Sequence, residues 1–477
     1  MCPVIPLSKQ GQPLFRQVYS GLRQAILSGA LRTGERLPST RDLAEQLGIS
    51  RTVVLLAYDQ LLAEGFVAGR SGSGTYVAEN LSRSTRKRTA KSVHVPLSRF
   101  GFMAEKAVRV VEFPSKRLAP LRYDFAYGRT DTDVFPFAAW RRILMRRARE
   151  ASAREFDYAP ATGSPVLREA ICAHLRRSRA VVCDPEDVIV TNGSQQALDL
   201  IARVLVERGD SVAVEDPQYP GIKQVLLAAG ARLSRVAVDE EGLNPANLPE
   251  KPRLVFVTPS HQFPTGAIMP LARRVALLQW AREKNAVIVE DDYDGEFHYE
   301  GRPLESLQGL DTEGRVLYVG TFSRTMFPAL RIGYLIVPKS LTTAFTSAKW
   351  ISDLHSATLE QESLAEFISS GMYERHLRQL RRRNAARREV LLEAVDEHLR
   401  NRVDLTGDGA GAHVILWPRN SISEYAGLAQ AAGKNVRIYG IAHFYLYPAP
   451  RVGFMLGYSR MSEKEIREGI RLLADVF

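Results

Sequence analysis

The chain has 477 residues, of which 45% are hydrophobic and 25% charged, a composition typical of a globular protein with a sizeable core. This length predicts two or three domains. No apolar run approaches ~18 residues, the start lacks a secretory-signal pattern, and three unpatterned cysteines argue against a disulfide framework or a zinc site. We therefore expect a cytoplasmic protein with no membrane partner.

The net charge of +11 is concentrated near the N-terminus. Residues 1–91 hold 13 Lys/Arg and 6 Asp/Glu, whereas the other 386 residues hold 51 and 47. A basic first fifth on a nearly neutral body favours a nucleic-acid-binding module. A solvated basic surface explains the charge equally well. The residue pattern is therefore needed to distinguish it from a nucleic-acid-binding module.

Three helices are predicted within residues 12–78. Apolar residues recur at helical spacing over Phe15–Ser28. A second helix begins at Ser39, which opens a capping-box pattern. A third is expected over Arg51–Glu64, capped by Ser50. Its buried stripe is expected to be Val54, Ala57, Tyr58 and Leu61.

The second and third helices, joined by a tight turn at Gly48, have the pattern of a helix-turn-helix, whose second helix enters the DNA major groove. Two short apolar runs on either side of Ser71–Gly74 predict a β-hairpin wing. The segments Leu37–Arg41 and Gly48–Thr52 resemble the winged helix-turn-helix of GntR-type bacterial transcription regulators. The resemblance implies that residues 12–78 bind operator double-stranded DNA, with contacts from Arg41, Arg51, Thr52, Gly72, Ser73, Gly74 and Thr75.

Residues 79–120 lack steady periodicity and are expected to be a linker. Its charged part, Ser82–Arg88, favours a tether, with or without non-specific phosphate contacts.

From about Tyr123, apolar runs alternate with helical stretches, which predicts a buried, mainly parallel sheet with helices on both faces. In such folds the ligand lies beyond the carboxyl ends of the strands. The predicted strands are Asp187–Val190, Ser211–Val214, Arg253–Val257, Ala286–Val289 and Val316–Val319.

Five motifs follow these strands, and each is a weak signal alone. The turn Val190–Gln196 opens a helix whose N-terminus suits a phosphate. Tyr219 stands on a loop, where its ring either stacks on a planar heterocycle or simply packs. The segment Thr258–Gly266 ends in Pro-Thr-Gly. The acids of Glu290–Asp294 suit a pyridine nitrogen, and no histidine stands at metal-ligand spacing beside them. The fifth motif carries Arg331, suited to bidentate phosphate binding.

In this order and spacing the motifs resemble fold-type I enzymes that use pyridoxal 5′-phosphate (PLP). The forms of His261–Gly266 and Glu290–Asp294 resemble the MocR-type regulators. The resemblance implies a multidomain protein, with an α/β winged helix-turn-helix followed by a fold-type I PLP-transferase-like α/β domain over residues 121–477. That domain is expected to have a mainly parallel central sheet and a small C-terminal subdomain, and to form a homodimer.

The resemblance also implies roles for single residues. Asp291 would pair with the pyridine nitrogen, Tyr293 with the phenolate oxygen, and Tyr219 would stack on the ring, with His261 nearby. An effector-binding arginine is absent from Tyr439–Tyr445, where His443 is either a substitute or an ordinary packed residue. The phosphate would be held by Ser194, Gln195, Thr321, Ser323 and Arg331.

Arg324 departs from the family pattern, because it stands where a lysine forms the Schiff base. A guanidinium stays protonated and cannot supply the neutral amine. We therefore expect no catalytic residue, and a DNA-binding regulator that senses PLP, a PLP-related compound or a small amine or amino-acid ligand without a covalent bond. A natural loss and an engineered replacement of the lysine both fit. Two alternatives stay open: a PLP-dependent aminotransferase with an appended DNA-binding domain, and a DNA-binding protein whose C-terminal domain is a dimerisation scaffold.

Overall fold

A computed structural model describes residues 5–8, 12–70, 73–79, 96–108, 120–152, 157–299 and 305–477. The chain divides into two compact units, Met1–Pro96 and Leu97–Phe477. No helix within these described ranges is long and apolar enough to cross a membrane.

The first unit contains the three predicted helices and the predicted hairpin. Its strands pair antiparallel, with Val67 opposite Val77. The predicted stripe of the third helix is buried against the first helix. The elements are α1 (Leu14–Leu27), α2 (Thr40–Leu47), α3 (Arg51–Ala63), β1 (Val67–Arg70) and β2 (Gly74–Val77).

The starts of α2 and α3 differ in one respect that the sequence did not show. The Ser39 side chain accepts a hydrogen bond from the Asp42 backbone N–H at 3.2 Å, as predicted. The Ser50 backbone occupies the equivalent place before α3, but its side chain makes no capping hydrogen bond. Ser50 is thus the N-cap residue of α3, as predicted, but it caps the helix without a side-chain hydrogen bond. Gly48 ends α2 with φ of 64°, a conformation that favours glycine.

The second unit is an α/β domain with a smaller antiparallel sheet near its C-terminus. Its helices are α4 (Arg99–Val108), α5 (Phe137–Glu150), α6 (Pro165–Arg179), α7 (Ser194–Leu205), α8 (Pro220–Ala229), α9 (Leu271–Lys284), α10 (Leu307–Leu310), α11 (Thr342–Asp353), α12 (Thr358–Ser369), α13 (Met372–Leu399), α14 (Glu424–Gly433) and α15 (Glu463–Leu473). Its strands are β3 (Tyr123–Asp124), β4 (Val188–Thr191), β5 (Ser211–Asp216), β6 (Arg232–Asp239), β7 (Gly242–Leu243), β8 (Leu254–Val257), β9 (Val287–Asp292), β10 (Val316–Thr321), β11 (Gly333–Ile336), β12 (Val403–Thr406), β13 (His413–Pro418), β14 (Val436–Arg437), β15 (Tyr439–Gly440) and β16 (Phe454–Gly457).

The large sheet is mainly parallel, as predicted. Its order is β4-β11-β10-β9-β8-β5-β6-β7, and β11 and β7 run antiparallel to their neighbours. Alternate side chains of a strand enter different cores: Val212 and Val214 pack with α7, whereas Ala213 packs with α9. The five predicted strands all form, each starting within one residue of the predicted position.

The predicted C-terminal subdomain is built on the antiparallel sheet β12-β13-β16-β15. Its core contains buried side chains of α13 and α15, including Leu391 and Ile470. The Ser462 hydroxyl accepts a hydrogen bond from the Glu465 backbone N–H, and the Glu465 carboxylate accepts one from the Ser462 backbone N–H. This capping box fixes where α15 begins.

The predicted linker is not wholly without secondary structure. Helix α4 lies inside residues 79–120 and packs against α8, and the Arg203 guanidinium lies over the Phe100 ring. The second compact unit therefore begins at Leu97 rather than at residue 121. The charged part of the predicted tether, 82–88, lies outside the described residues.

Candidate functional site

The DNA-contact residues predicted from the sequence lie on α2, at the start of α3 and in the hairpin. Arg41, Arg51 and Thr52 are exposed, and the Arg51 Nε donates to the Thr40 hydroxyl at 3.2 Å. Gly72 lies outside the described residues. The remaining three, Ser73, Gly74 and Thr75, lie in the turn and on β2.

Arg36 is a basic residue of this unit that the sequence analysis did not select. A Cβ placed on Gly74 would lie 3.0 Å from the Arg36 Nε, so the guanidinium lies against the hairpin. The bridge between Arg36 and Tyr76 places the same segment beside β2. A basic side chain before α2 carries no helix or strand periodicity, so only its contact with the hairpin reveals it.

In the second unit, nine of the ten predicted cofactor residues line one cavity of about 310 Å³. It lies beyond the carboxyl ends of β4, β5, β9 and β10, because the motifs that follow these parallel strands meet at the same edge of the sheet. These nine residues are Ser194, Gln195, Tyr219, Asp291, Tyr293, Thr321, Ser323, Arg324 and Arg331.

One side of the cavity is formed by the N-terminus of α7. Gly193 precedes this helix with φ of 77°, and a Cβ there would lie 2.5 Å from an Arg331 Nη, so only glycine leaves room for the guanidinium. Arg331 Nη2 donates to the Asn192 carbonyl at 3.0 Å. The hydroxyls of Thr321 and Ser323 lie 3.1 Å apart. Free helix N–H groups, two hydroxyls and a guanidinium form a suitable site for a dianion.

Asp291 is the carboxylate of the cavity. It is buried, and among the described residues its Oδ1 has no hydrogen-bond partner. Burial raises the pKa of Asp291 to about 7; repulsion from Asp292 adds to the shift and the positive charge of Arg324 opposes it. A buried acceptor of this kind calls for a donor from a ligand, and a protonated ring nitrogen would supply one.

Aromatic rings surround the remaining space. Phe263 packs edge-on against Tyr219 and Tyr293, with ring centroids 5.8 Å apart in both pairs. Burial raises the pKa of Tyr219 to about 12 and that of Tyr293 well above its usual value, so both hydroxyls stay protonated at neutral pH.

His261, the tenth predicted residue, does not line the cavity but supports it. Its Nδ1 lies 2.9 Å from the Tyr293 hydroxyl and 3.0 Å from Asp294 Oδ2. An ionised Asp294 favours the tautomer with the proton on Nδ1. The histidine then donates to Asp294, which leaves the Tyr293 hydroxyl proton available to another acceptor.

No histidine stands at metal-ligand spacing beside these acids in the sequence, but folding brings two histidines close to Asp294. One potential ligand atom each of His261, Asp294 and His413 lies within 4.8 Å of the others. However, Asp294 already pairs with His261, and His413 Nε2 lies 3.0 Å from the Pro264 carbonyl. We interpret the group as a hydrogen-bonded support for Tyr293 rather than as a metal centre.

Arg324 enters the cavity from the segment after β10. Its Cζ lies 5.6 Å from the centroid of the Tyr293 ring. A Cβ on Gly128, whose φ is 73°, would lie 2.9 Å from the Arg324 Nη1, so the guanidinium rests against this glycine. Among the described residues, three arginines and no lysine line the cavity.

Several lining residues were missed by the sequence analysis: Tyr127, Gly128, Arg129, Phe263 and Pro328. Phe263 belongs to the motif Thr258–Gly266. Residues 127–129 instead follow the two-residue strand β3, far along the chain from the five motifs. Their chain position gives no signal, because they reach the cavity through packing with distant segments, such as the contacts of Tyr127 with Phe263 and Tyr439.

Comparisons with known proteins agree with both halves of this description. The family model for aminotransferase class I and II matches residues 124–471, and that for bacterial regulatory proteins of the gntR family matches residues 14–77. The chain is 40% identical to the "Probable rhizopine catabolism regulatory protein MocR" of Rhizobium meliloti over 469 residues, covering 98% of this chain and 94% of that one. The chain belongs to the MocR-type regulators.

This MocR-type chain is also similar to a second regulator and to an aminotransferase of known structure. It is 35% identical to the HTH-type transcriptional regulator TauR of Rhodobacter capsulatus, over 83% of this chain and 81% of that one. Its fold is similar to that of LysN, the α-aminoadipate aminotransferase of Thermus thermophilus, solved with N-(5′-phosphopyridoxyl)-L-leucine. The TM-score is 0.69 at 29% identity, covering 74% of this chain and 91% of LysN. The relatives named as regulators support a DNA-binding regulator, and the fold is that of aminotransferases.

The residues that line the cavity of this MocR-type chain are compatible with the polar groups of PLP. The α7 N-terminus and Arg331 suit the phosphate, and the unpartnered Oδ1 of Asp291 suits the pyridine nitrogen. The cavity volume of about 310 Å³ is at the lower end of the range of ~300–1,000 Å³ that is usual for small-ligand sites.

Proposed function

We propose that this protein is a transcription regulator that binds operator DNA and senses PLP, or a PLP-related or amino-acid ligand, without a covalent bond. One observation carries the proposal. The cavity keeps the anion-binding helix end and the buried acid, yet position 324 holds an arginine and no lysine among the described residues lines the cavity. A bound PLP supplies an aldehyde and an electron-withdrawing ring, but this cavity offers no neutral amine to react with it.

In this proposal the cavity residues bind and orient the ligand. Ser194, Gln195, Thr321, Ser323 and Arg331 hold the phosphate. Asp291 accepts from the ring nitrogen, Tyr293 donates to the phenolate oxygen, and Tyr219 contacts the ring. His261 acts through Tyr293: its Nδ1–H donates to Asp294, so the Tyr293 hydroxyl proton is directed to another acceptor.

The first unit is proposed to bind operator DNA. The start of α3 presents exposed Arg51 and Thr52, and exposed Arg41 lies on α2. A guanidinium can contact guanine or phosphate with two parallel bonds. The match of residues 14–77 to the gntR family model supports this assignment.

We also propose a homodimer formed through an apolar surface on α11, which we call the α11 patch. It comprises Trp350, Ile351 and Leu354, with Tyr158 beside it, whose ring lies 6.0 Å from that of His355. Ile351 is 83% exposed, an unusual exposure for an isoleucine.

The patch adjoins the proposed phosphate site. Asp353, at the end of α11, accepts hydrogen bonds at 2.8 Å from Asn192 and Gln196, on either side of the α7 N-terminus. Two DNA-binding units in a dimer would address paired half-sites. A ligand with different affinity for two arrangements of the dimer would then shift operator binding.

The experiment that tests the proposal compares the wild-type chain with Arg324→Lys. Calorimetric titration of the wild type with PLP is expected to show binding, and borohydride reduction is expected to add no PLP mass. Arg324→Lys is expected to gain the mass of one PLP after reduction. Operator binding of both proteins is measured with and without PLP.

The outcomes separate the alternatives. Transamination by the wild type at a conventional enzyme rate would establish the aminotransferase alternative and contradict the regulator proposal. If PLP binds to neither protein, the second unit acts as a scaffold and the sensing proposal is wrong.

A further inference from the structure

Among the described residues, the cavity contains a cation, the Arg324 guanidinium, with no carboxylate at ion-pair distance. In the part of the chain that the structure describes, no carboxylate lies at ion-pair distance from the Arg324 guanidinium and no acceptor takes a hydrogen bond from it. Two other shielded arginines of the same unit form ion pairs, Arg179 with Asp292 at 2.7 Å and Arg387 with Asp131 at 2.7 Å. A third, Arg274, donates to three backbone carbonyls. A guanidinium with five donors and no acceptor, held in a partly buried site, calls for an anionic partner.

The charges of the residues that line the cavity also favour an anionic ligand. Apart from tyrosines, its described ionisable lining comprises three arginines, Arg129, Arg324 and Arg331, and one acid, Asp291. Ionisation of that acid is hindered, since burial raises its pKa to about 7. Arg324 and Arg331 together carry more charge than this acid, so the cavity favours an anionic ligand.

Arg324 and Arg331 lie in different places. Arg331 contacts Gly193 and Asn192 at the start of α7. Arg324 instead rests against Gly128 and the Tyr293 ring, and its charge opposes the rise in the pKa of Asp291 that burial causes. Arg324 and Arg331 therefore occupy two separate positions, Arg331 at the phosphate site and Arg324 on the side of the buried acid.

We propose that Arg324 binds the carboxylate of a phosphopyridoxyl amino acid, so that the ligand is an amino acid already joined to the pyridoxal carbon rather than PLP alone. This inference rests on the proposed function. The family resemblance assigns position 324 to the side chain that faces the PLP aldehyde carbon, and an amino acid joined to that carbon carries its carboxylate nearby. Arginine holds a carboxylate through two parallel N–H···O bonds, which lysine cannot do.

The test uses two reduced ligands that differ only in the carboxylate, N-(5′-phosphopyridoxyl)-L-alanine and N-(5′-phosphopyridoxyl)ethylamine. Reduction prevents exchange with any amine of the protein. Calorimetric titration of the full chain is expected to show at least about tenfold tighter binding of the alanine compound, the effect of one charged hydrogen-bonded contact.

Three variants test whether Arg324 causes the preference for the ligand that carries a carboxylate. Arg324→Gln is expected to bind the two ligands about equally. Arg331→Gln is the matched control at the phosphate site: it is expected to weaken both ligands and to keep their ratio. Arg324→Lys keeps the positive charge but not the two parallel N–H donors, so it is expected to retain only part of the preference. Because this variant changes the cavity least, it also shows whether a lost preference is due to misfolding.

Each failure has a distinct meaning. Equal binding of the two ligands by the wild type would overturn this inference and leave PLP sensing intact. A preference that survives in Arg324→Gln would overturn the assignment to Arg324. If neither ligand binds to the wild type, the inference falls together with the proposed function.

Discussion

At the scale of single residues, we predict that the buried Asp291 lowers the stability of the ligand-free protein when its carboxyl is ionised. This carboxyl is buried, its Oδ1 has no partner among the described residues, and burial raises its pKa from 3.8 to about 7. The folded state therefore binds this proton more tightly than the unfolded state. Ionisation lowers stability progressively between about pH 4 and pH 7, and the full penalty applies above that window.

We predict that Asp291→Asn stabilises the ligand-free protein as the pH rises. The gain in the free energy of unfolding should be small at about pH 4 and reach an upper limit of about 4 kcal/mol above pH 7. Affinity for PLP should fall about 10- to 100-fold, because the acceptor for the ring nitrogen is neutralised. Thermal unfolding from pH 4 to 8 and calorimetry measure the two effects.

The exposed Glu240 supplies the control, since Glu240→Gln removes one acid without changing the cavity's buried acid. Its unfolding profile should follow that of the wild type. If Asp291→Asn also follows the wild type at every pH, the buried acid is not the source of the penalty.

At the scale of helices, the two serines before α2 and α3 provide a matched pair. Ser39 caps α2 through its hydroxyl, whereas Ser50 makes no such bond. We predict that Ser39→Ala lowers the local stability of α2 by about 1 kcal/mol and that Ser50→Ala has little effect. Hydrogen exchange of the amides of Thr40–Ala63 in the full chain reports both. Equal effects of the two substitutions would contradict the capping geometry.

The same pair of helices carries the DNA prediction. Arg41→Ala and Arg51→Ala should each weaken operator binding about 5- to 100-fold, because each removes a guanidinium presented to bases or phosphates. Arg16 on α1 is also exposed, and Arg16→Ala is the control. Electrophoretic or fluorescence titrations at fixed salt measure the affinities. A loss of the same size in the control would indicate a general charge effect instead of recognition by α2 and α3.

At the scale of the whole molecule, the prediction concerns assembly. Ile351→Glu should convert a dimer into a monomer, because it places a charge in the centre of the α11 patch. Tyr425 on α14 is 84% exposed, similar to Ile351, and lies outside the patch, so Tyr425→Glu should leave the dimer intact. Sedimentation measures the mass. A wild-type monomer, or a dimer that survives Ile351→Glu, would contradict the proposed interface.

Much of the fold was predictable because it depends on local pattern. The stripe of α3, the turn at Gly48 and the continuous apolar runs of β4, β5, β8, β9 and β10 are periodic signals that a short window contains. The motifs after those strands were expected at one edge of a parallel sheet, and nine of ten predicted residues do line one cavity there. Helix α4 was missed, although Phe100, Met103, Ala104 and Ala107 recur at helical spacing. The segment is short, and its contact with α8 depends on tertiary packing.

The sequence by itself was therefore enough to recognise the two families and the unusual arginine at position 324, since both depend only on residue type and spacing. The surroundings of Arg324 depend on residues far apart in the chain: Gly128 makes room for its guanidinium and Tyr293 lies beneath it. Likewise, His261 meets Asp294 and His413 only after the strands have assembled. Contacts of this kind arise from pairing between distant segments, which no local period encodes. Within the described residues they leave Arg324 without a counterion, in a cavity suited to an anion.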